Sequence, residues 1–583
     1  MSSELLPPNW PAMSIAQANA LLAAPGSPAE LEDSVINGIS MKTYKNAPPT
    51  IHSILLLAAA SFPDRDYIVY QDERVTYTAM YRAVAHFAAT LRDQYGITKG
   101  DRVAIVMRNY PQWPVAFYAA LSLGAIATPM NSWWTGDELE YGLSFAGVKA
   151  AVVDPQIFER IHEHLGNLPE LNHVIIARDP GEEHNHPSVT SMESSIGDAN
   201  SWASLAPISL PDVEVGPEDH ATIMYTSGTT GKPKGALATH RAVVSNMFNS
   251  LCCSARMYLR KGEPVPEPDP SVQRATLLSI PFFHATGAFA VMVPTALRGD
   301  KIVSMYKWDA GEALPIIERE KISNIGGVPA IAWQVLEHPD RDKYDLSSIE
   351  VISYGGAPSA PELVSTIKKR FPNAAPGNGW GMTETCATVT LNIGEDYVNR
   401  PSSAGAPPAA VELKVCDPEG NALAVGEVGE LWCKGPMNCK QYWNRPDATA
   451  ETYRDGWVVT GDLARLDEEG FLFLVDRAKD MLIRGGENIY SIEVESALYD
   501  HPAVMDAAVV GIPHKVLGEE VGAVVQLKPG MEVSEAELRA HVANHLAAFK
   551  VPVEIQFLHE PLPRNANGKI LKKELRERFT PRG

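Results

Sequence analysis

The stretch Tyr225–Gly235, Tyr-Thr-Ser-Gly-Thr-Thr-Gly-Lys-Pro-Lys-Gly, restricts this chain more than any other part of it. Its glycines, hydroxyl side chains and two lysines can set backbone N–H groups, hydroxyls and positive charge around a polyphosphate. The apolar run Ala221–Met224 just before it reads as a strand. The C-terminal end of such a strand is where open α/β sheets bind ligands, so the loop predicts both a fold class and a chemistry. It is not a Walker A loop. Gly228 and Gly231 are too close, and Lys232 is followed by Pro233 instead of Ser or Thr. The P-loop kinases and ATPases are therefore disfavoured.

The surrounding chain supplies the sheet. At 583 residues it exceeds a single core, and about 150 residues per domain gives three to four compact units. From Thr50 to Ala177, helical patterns at Ile51–Phe62, Tyr77–Gln94 and Gln112–Leu123 alternate with strands at Arg102–Met107, Ile126–Pro129 and Ala150–Val153. Such alternation predicts layered α/β structure with a mostly parallel sheet. Asp179–Asp219, rich in Pro, Gly, Ser and acidic residues, reads as a surface connection in which Trp202 and Leu205 pack. The alternation then resumes with strands at Ala275–Ile280, Lys301–Met305, Asn324–Val328 and Glu350–Tyr354 and a helix at Pro361–Arg370. Short strands at Val411–Val415 and Gly429–Lys434 predict a β-rich subdomain. Beyond Asp476, strands Val504–Ile512, Val521–Leu527 and Val553–Leu558 and helix Ser534–Leu546 form a further compact unit.

The expected fold class is α/β. A large N-terminal domain, 1–475, would hold two layered α/β subdomains (about 47–215 and 216–395) and a small β-rich one (about 396–475). A hinge, 476–479, would lead to a small mobile α+β C-terminal domain, 480–583. Residues up to about Asn46 show weak helical patterning, an arm packed on the body or on a second subunit.

Composition excludes several function classes. A net charge of −21 argues against nucleic acid or an anionic membrane as partner, so any nucleotide is held by local groups. The six cysteines are scattered, with no Cys-x-x-Cys pair, which predicts reduced thiols and no zinc. Met1–Pro11 lacks the regions of a signal peptide, and no apolar run reaches membrane-span length. The expectation is a soluble, cytoplasmic protein without a transmembrane segment.

Five further stretches carry chemistry. Ile352–Pro358 runs into a double-Gly turn that lets a flat ring approach the backbone. In Gly377–Thr385, Trp380 could stack on a base and Glu384 could hold Mg²⁺ between phosphates, the plain alternatives being a core Trp and a surface acid. Thr460-Gly-Asp462 places a carboxylate at a turn, suited to ribose hydroxyls or to capping that turn. Asp476–Asp480 is a charged junction without bulky apolar residues, and Pro563–Lys569 ends in an Asn-Gly turn that presents Lys569.

Seven blocks occur in one order: Leu123-Gly-Ala125, Tyr225–Gly235, Pro281–His284, Tyr354–Pro358, Trp380–Glu384, Thr460–Asp462 and Asn567–Lys569. Together they resemble the adenylate-forming superfamily of acyl- and aryl-CoA synthetases, peptide-synthetase adenylation domains and luciferases, from about Thr50 to Lys573. The resemblance implies an AMP-forming acid–thiol ligase using ATP, Mg²⁺ and CoA. It would activate a carboxylic acid as acyl-AMP, release pyrophosphate, and pass the acyl group to CoA.

It also implies roles. Thr226, Ser227, Gly228, Thr229, Thr230, Gly231, Lys232 and Lys234 would wrap the β- and γ-phosphates. Gly356, Ala357, Pro358 and Trp380 would flank adenine, Thr383 and Glu384 would serve the phosphates and Mg²⁺, and Asp462 and Arg477 would reach the ribose or a phosphate. Lys569 would bridge the substrate carboxylate and the α-phosphate, with His284 near that carboxylate. Lys479 falls at the hinge, whose rotation would bring Gly485 and Gly486 to a thiol channel.

Acetyl-CoA synthetases carry a Trp where this chain has Gly381, so a larger acid is implied, walled by Phe282, Phe283, Ala288, Phe289 and Trp333. A medium- or long-chain fatty acid is expected. The alternatives are an aryl or cinnamate-type acid, or delivery to a carrier protein or an amine. The chain ends soon after Lys569, which favours free CoA as acceptor, and Pro581-Arg-Gly is no peroxisomal address, a point against a luciferase-like oxygenase. A non-catalytic nucleotide-binding regulator is disfavoured by Lys569, Glu384 and Asp462 together. The oligomeric state, including a homodimer, is left open.

Overall fold

The computed structural model describes residues 6–7, 10–179, 181, 188–226, 232–267, 269–356, 359, 361–485, 487–565 and 569–580. The apolar runs pair into two eight-stranded sheets. The first runs Gln441–Tyr442, Gly235–Thr239, His220–Tyr225, Ile126–Pro129, Arg102–Val106, Val148–Val153, His173–Ile176, Val189–Ser191. It is parallel from His220–Tyr225 onward and antiparallel at the Gly235–Thr239 end. The second runs Ala387–Ile393, Ala375–Met382, Val351–Gly355, Asn324–Gly327, Ala275–Leu278, Lys301–Ser304, Asp66–Tyr70, Glu73–Thr76, and is antiparallel only at its two edges.

The sheets exchange strands across the chain order expected for them. Asp66–Tyr70 and Glu73–Thr76 join the second sheet, while His220–Tyr225 and Gly235–Thr239 join the first. Parallel strands are joined by long crossovers, so buried faces and not adjacency in sequence choose the neighbours. One core cluster unites side chains of both sheets, such as Ile68 and Val103, with those of helices Tyr77–Asp93 and Gln112–Ser122. Every residue of Gln112–Ser122 is buried, as a helix apolar on all sides requires.

Helix His240–Lys261 escapes the sequence pattern because Asn246, Asn249, Arg256 and Arg260 lie on its buried side and mask the apolar period. Each finds partners. Asn246 Nδ2 donates to the Thr388 carbonyl at 2.7 Å, Tyr44 Oη to Asn249 Oδ1 at 2.7 Å, Arg256 to the Ala406 and Pro407 carbonyls at 2.8 Å, and Arg260 Nε to Asp396 at 2.8 Å. The helix thus moors strand Ala387–Ile393 on one side and the N-terminal arm on the other. That arm packs on the body: helix Ile15–Leu22 lies against the same helix, and Arg260 Nη1 donates to the Met13 carbonyl at 2.8 Å. The connection after Asp179 also packs, with Trp202 fully buried.

A five-stranded sheet, Glu412–Cys416, Gly429–Lys434, Trp457–Leu466, Tyr453–Arg454 and Leu472–Arg477, forms the β-rich part. The C-terminal part wraps helices Ser491–Tyr499 and Glu535–His545 against a second five-stranded sheet, with the parallel edge strand Glu554–Leu558. The fold is a mixed α/β assembly with a large multi-sheet N-terminal part and a smaller C-terminal domain. Among the described residues, no helix is long and apolar enough to cross a membrane.

Candidate active site

Strand C-termini from different sheets open onto one cavity of about 1930 Å³. Strand His220–Tyr225 delivers Thr226, whose N–H donates to the Lys234 carbonyl at 2.8 Å, while the Lys234 N–H donates to Thr226 Oγ1 at 3.3 Å. These bonds close the neck of the Gly-rich loop between two antiparallel strands, so the loop tips a hairpin and does not open a helix as a Walker loop does. Ser227, Gly228, Thr229, Thr230 and Gly231 of that loop lie outside the described residues. Lys232 and Lys234 line the cavity, each with its ammonium over an aromatic ring, Tyr141 at 4.4 Å and Tyr442 at 4.2 Å.

The second sheet supplies Gly356 after Val351–Gly355, and Trp380, Gly381, Thr383 and Glu384 along and beyond Ala375–Met382. Ala357 and Pro358 lie outside the described residues. Glu384 is buried and accepts from the Tyr442 hydroxyl. That phenol, raised by burial and by the Glu384 carboxylate, remains the donor. Tyr442 was invisible to sequence reasoning, since it lies on a two-residue edge strand, Gln441–Tyr442, with no periodicity to read.

Asp462 sits inside strand Trp457–Leu466, not at a turn as expected. A register shift opposite Glu430–Trp432 and the left-handed Gly461, φ 71°, make a bulge that re-aims it. Trp380 Nε1 donates to Asp462 Oδ2 at 2.8 Å, and Arg477 Nε pairs with Oδ1 at 2.7 Å. A carboxylate has about four lone-pair sites, so two remain for a ligand. Trp380 therefore touches the acid that the resemblance assigns to ribose.

Lys569 comes from the C-terminal domain yet lines the same cavity as Thr226, Trp380, Glu384, Arg477 and Lys479. Burial first, then the Arg477 and Lys479 cations, lower its ammonium to about 8. Burial also lowers Lys479. Gly485 is not among the residues lining the cavity, and Gly486 lies outside the described residues.

On the opposite wall the backbone N–H of Thr286 donates to His284 Nδ1 at 3.3 Å. Burial drops this imidazole to about 4, so it is neutral and carries its proton on Nε2 as a donor. The π-helical turn Thr286–Met292 follows, and Gly287 has to be glycine because a Cβ would meet the Pro281 carbonyl oxygen at 2.2 Å. This turn corrects the expected wall. Phe282, Ala288 and Phe289 point into the core, with Phe282 stacked on Trp113 at 5.0 Å, while Phe283, Ala290, Val291 and Trp333 line the cavity. Gly381 also lines it, but a Cβ there would lie 1.5 Å from the Ala387 carbonyl oxygen. In this chain the close strand contact also calls for a glycine at that position.

Away from the phosphate end, the cavity runs along helix His240–Lys261, where Ser250, Leu251, Ser254, Ala255, Met257 and Tyr258 line it. These positions make one helix face about 12 Å long, on which small residues (Ser250, Ser254, Ala255) alternate with apolar or aromatic ones (Leu251, Met257, Tyr258).

A family described as AMP-binding enzyme matches residues 56–443, and its C-terminal domain matches residues 493–569. A long-chain-fatty-acid–CoA ligase of Bacillus subtilis is 35% identical over 555 residues, covering 91% of this chain and 95% of that one. A feruloyl-CoA synthase of an Amycolatopsis species is 34% identical over 505 residues, covering 87% and 94%. Among solved structures, the anthranilate CoA ligase AuaEII in complex with anthranoyl-AMP superposes with a TM-score of 0.80 at 25% identity, covering 91% and 97%. The Mycobacterium tuberculosis fatty acyl CoA synthetase superposes with a TM-score of 0.66 at 31% identity, covering 91% and 98%.

Proposed function

The chain belongs to the AMP-binding enzyme family and is an AMP-forming acid–thiol ligase, and from that premise we propose that its acid is a medium- or long-chain fatty acid and its acceptor free CoA. ATP, the acid and CoA are its substrates. One observation carries the substrate reading: the cavity that holds Lys569 and Glu384 continues along an apolar and small-residue face of helix His240–Lys261. A methylene chain can lie along such a face, and the Bacillus subtilis relative is a long-chain-fatty-acid–CoA ligase.

In this reading the acid's carboxylate sits between the His284 Nε2–H and the Lys569 ammonium. Attack on the α-phosphate brings two anions together, so fixed positive charge and positioning supply most of the acceleration. Lys232 and Lys234 would hold the leaving pyrophosphate, and Asp462, kept in place by Trp380 and Arg477, the ribose. The residues present suit magnesium: Glu384 offers one carboxylate, with one oxygen tied to Tyr442 and the other left for an ion that takes one or two carboxylates plus phosphate oxygens. When bound, Mg²⁺ supplies neutralisation of polyphosphate charge.

The acyl-AMP is a mixed anhydride that water would destroy, so in this reading the C-terminal domain, whose Lys569 lines the cavity, would close over it during adenylation. Rotation about 476–479 would withdraw Lys569 and bring the Gly485 segment to the thiol. The CoA sulfur then displaces AMP to give the thioester. The test is a series of acids, from acetate to long-chain fatty acids with ferulate and benzoate alongside, in a pyrophosphate-release assay with thioester detection. Turnover should rise with chain length; a higher kcat/KM for the aromatic acids would overturn the fatty-acid reading.

A further inference from the structure

Tyr442 touches two groups of opposite charge at once: its ring faces the Lys234 ammonium at 4.2 Å, and its hydroxyl donates to Glu384 Oε1. Among the described residues, no ion pair engages either Lys234 or Glu384. The tyrosine cannot easily move. Its strand pairs with Gly235–Thr239 at Ala236, the next residue's N–H donates to the Gly235 carbonyl at 2.8 Å, and its own N–H donates to Thr449 Oγ1 at 3.0 Å. On the other side, the Cys439 N–H donates to the Glu384 carbonyl at 2.8 Å, so one short segment anchors both flanks.

An ammonium and a carboxylate brought together in a water-poor cleft attract far more strongly than in water. Such a pair would have to be broken before a magnesium polyphosphate could enter. An aliphatic spacer would leave the buried Glu384 oxygen without a donor, and a cationic one would neutralise it. A phenol solves both problems with no net charge, its π face toward the cation and its O–H toward the anion.

We propose that Tyr442 is a positioning residue that holds Lys234 and Glu384 apart and ready, so that the phosphate-binding cation and the magnesium-binding carboxylate do not neutralise each other before ATP arrives. The inference rests on the ligase reading. It predicts an effect confined to adenylation, because thioester formation from preformed acyl-AMP involves neither the β,γ-phosphates nor their magnesium.

The test uses the full-length enzyme and its Tyr442→Phe and Tyr442→Leu variants. Pyrophosphate release is titrated against free Mg²⁺, and thioester formation is followed separately from preformed acyl-AMP. Tyr442→Phe keeps the ring and loses the hydroxyl, so half-saturation by Mg²⁺ should rise about tenfold. Tyr442→Leu also loses the spacer, and its adenylation rate should fall on the order of 10²-fold. Thioester formation should stay within about twofold of wild type in both. Wild-type Mg²⁺ dependence in Tyr442→Phe, or equal losses in the two half-reactions, overturns the proposal. If Tyr442→Leu does not fold, the Tyr442→Phe titration decides alone. A wild-type enzyme that releases no pyrophosphate with any acid defeats the ligase reading itself, whereas an active wild type with unshifted variants defeats only the spacer.

Discussion

Lys569 owes its depressed ionisation to burial and to the neighbouring Arg477 and Lys479. The charged form is the one that can bridge two anions, and it is lost as pH rises through about 8. The expected kcat/KM for adenylation therefore falls above that pH, since this parameter follows the free enzyme. Whatever activity Lys569→Arg retains should stay level there, because a guanidinium does not deprotonate in this range. Lys569→Ala should lose adenylation by 10²–10³-fold or more, on the order expected for a charged donor, yet keep transfer from preformed acyl-AMP. Single-turnover measurement of each half-reaction checks this, and equal loss in both contradicts the assignment. Trp380→Phe preserves the aromatic plate but removes the 2.8 Å bond to Asp462. It should raise the KM for ATP about tenfold and narrow the preference for ATP over its 2′-deoxy form. An unchanged preference would separate Trp380 from ribose recognition. The indole was legible as an aromatic residue beside a nucleotide motif; its partner, 82 positions away, was not.

Strands Ala375–Met382 and Ala387–Ile393 form the element on which Trp380, Thr383 and Glu384 depend. Between them the chain turns through Cys386 and Ala387 in left-handed conformation, φ 53° and 93°, and the register shifts at Trp380–Gly381. Such backbone strain, about 1–3 kcal/mol per residue, persists only where packing enforces it. Gly381→Ala would drive a methyl into the Ala387 carbonyl and should destabilise the fold by about 3 kcal/mol or more, visible as a lower Tm in thermal unfolding. A variant with native Tm would show that the strand contact is looser than described. Sequence reasoning noticed this glycine as part of the pocket but not its second constraint, because a close approach of two backbones leaves no trace in either segment. Strand and helix positions fared better: Ile126–Pro129, Pro361–Arg370 and Gly429–Lys434 stand where periodicity puts them.

Across the whole molecule, polar contacts near the junction join the C-terminal domain to the rest. Asp476, raised by burial, accepts from Ser491 Oγ at 3.0 Å, whereas the Ala478 N–H donates to the Gly461 carbonyl at 3.0 Å. The pivot of the proposed rotation thus lies between an anchor on the C-terminal helix Ser491–Tyr499 and one on the β-rich sheet. Lys479→Pro should spare adenylation and slow thioester formation at least about tenfold, and normal overall turnover in that variant would contradict the hinge. The sequence alone determined the chemistry class and the order of the parts, because phosphate loops, apolar periods and junction composition are local properties written in consecutive residues. Only the tertiary structure decided which strands share a sheet, which side chains line the cavity, and that Tyr442 touches both Lys234 and Glu384. Those are matters of contact between segments distant along the chain, selected by burial and by the need to satisfy every enclosed polar group.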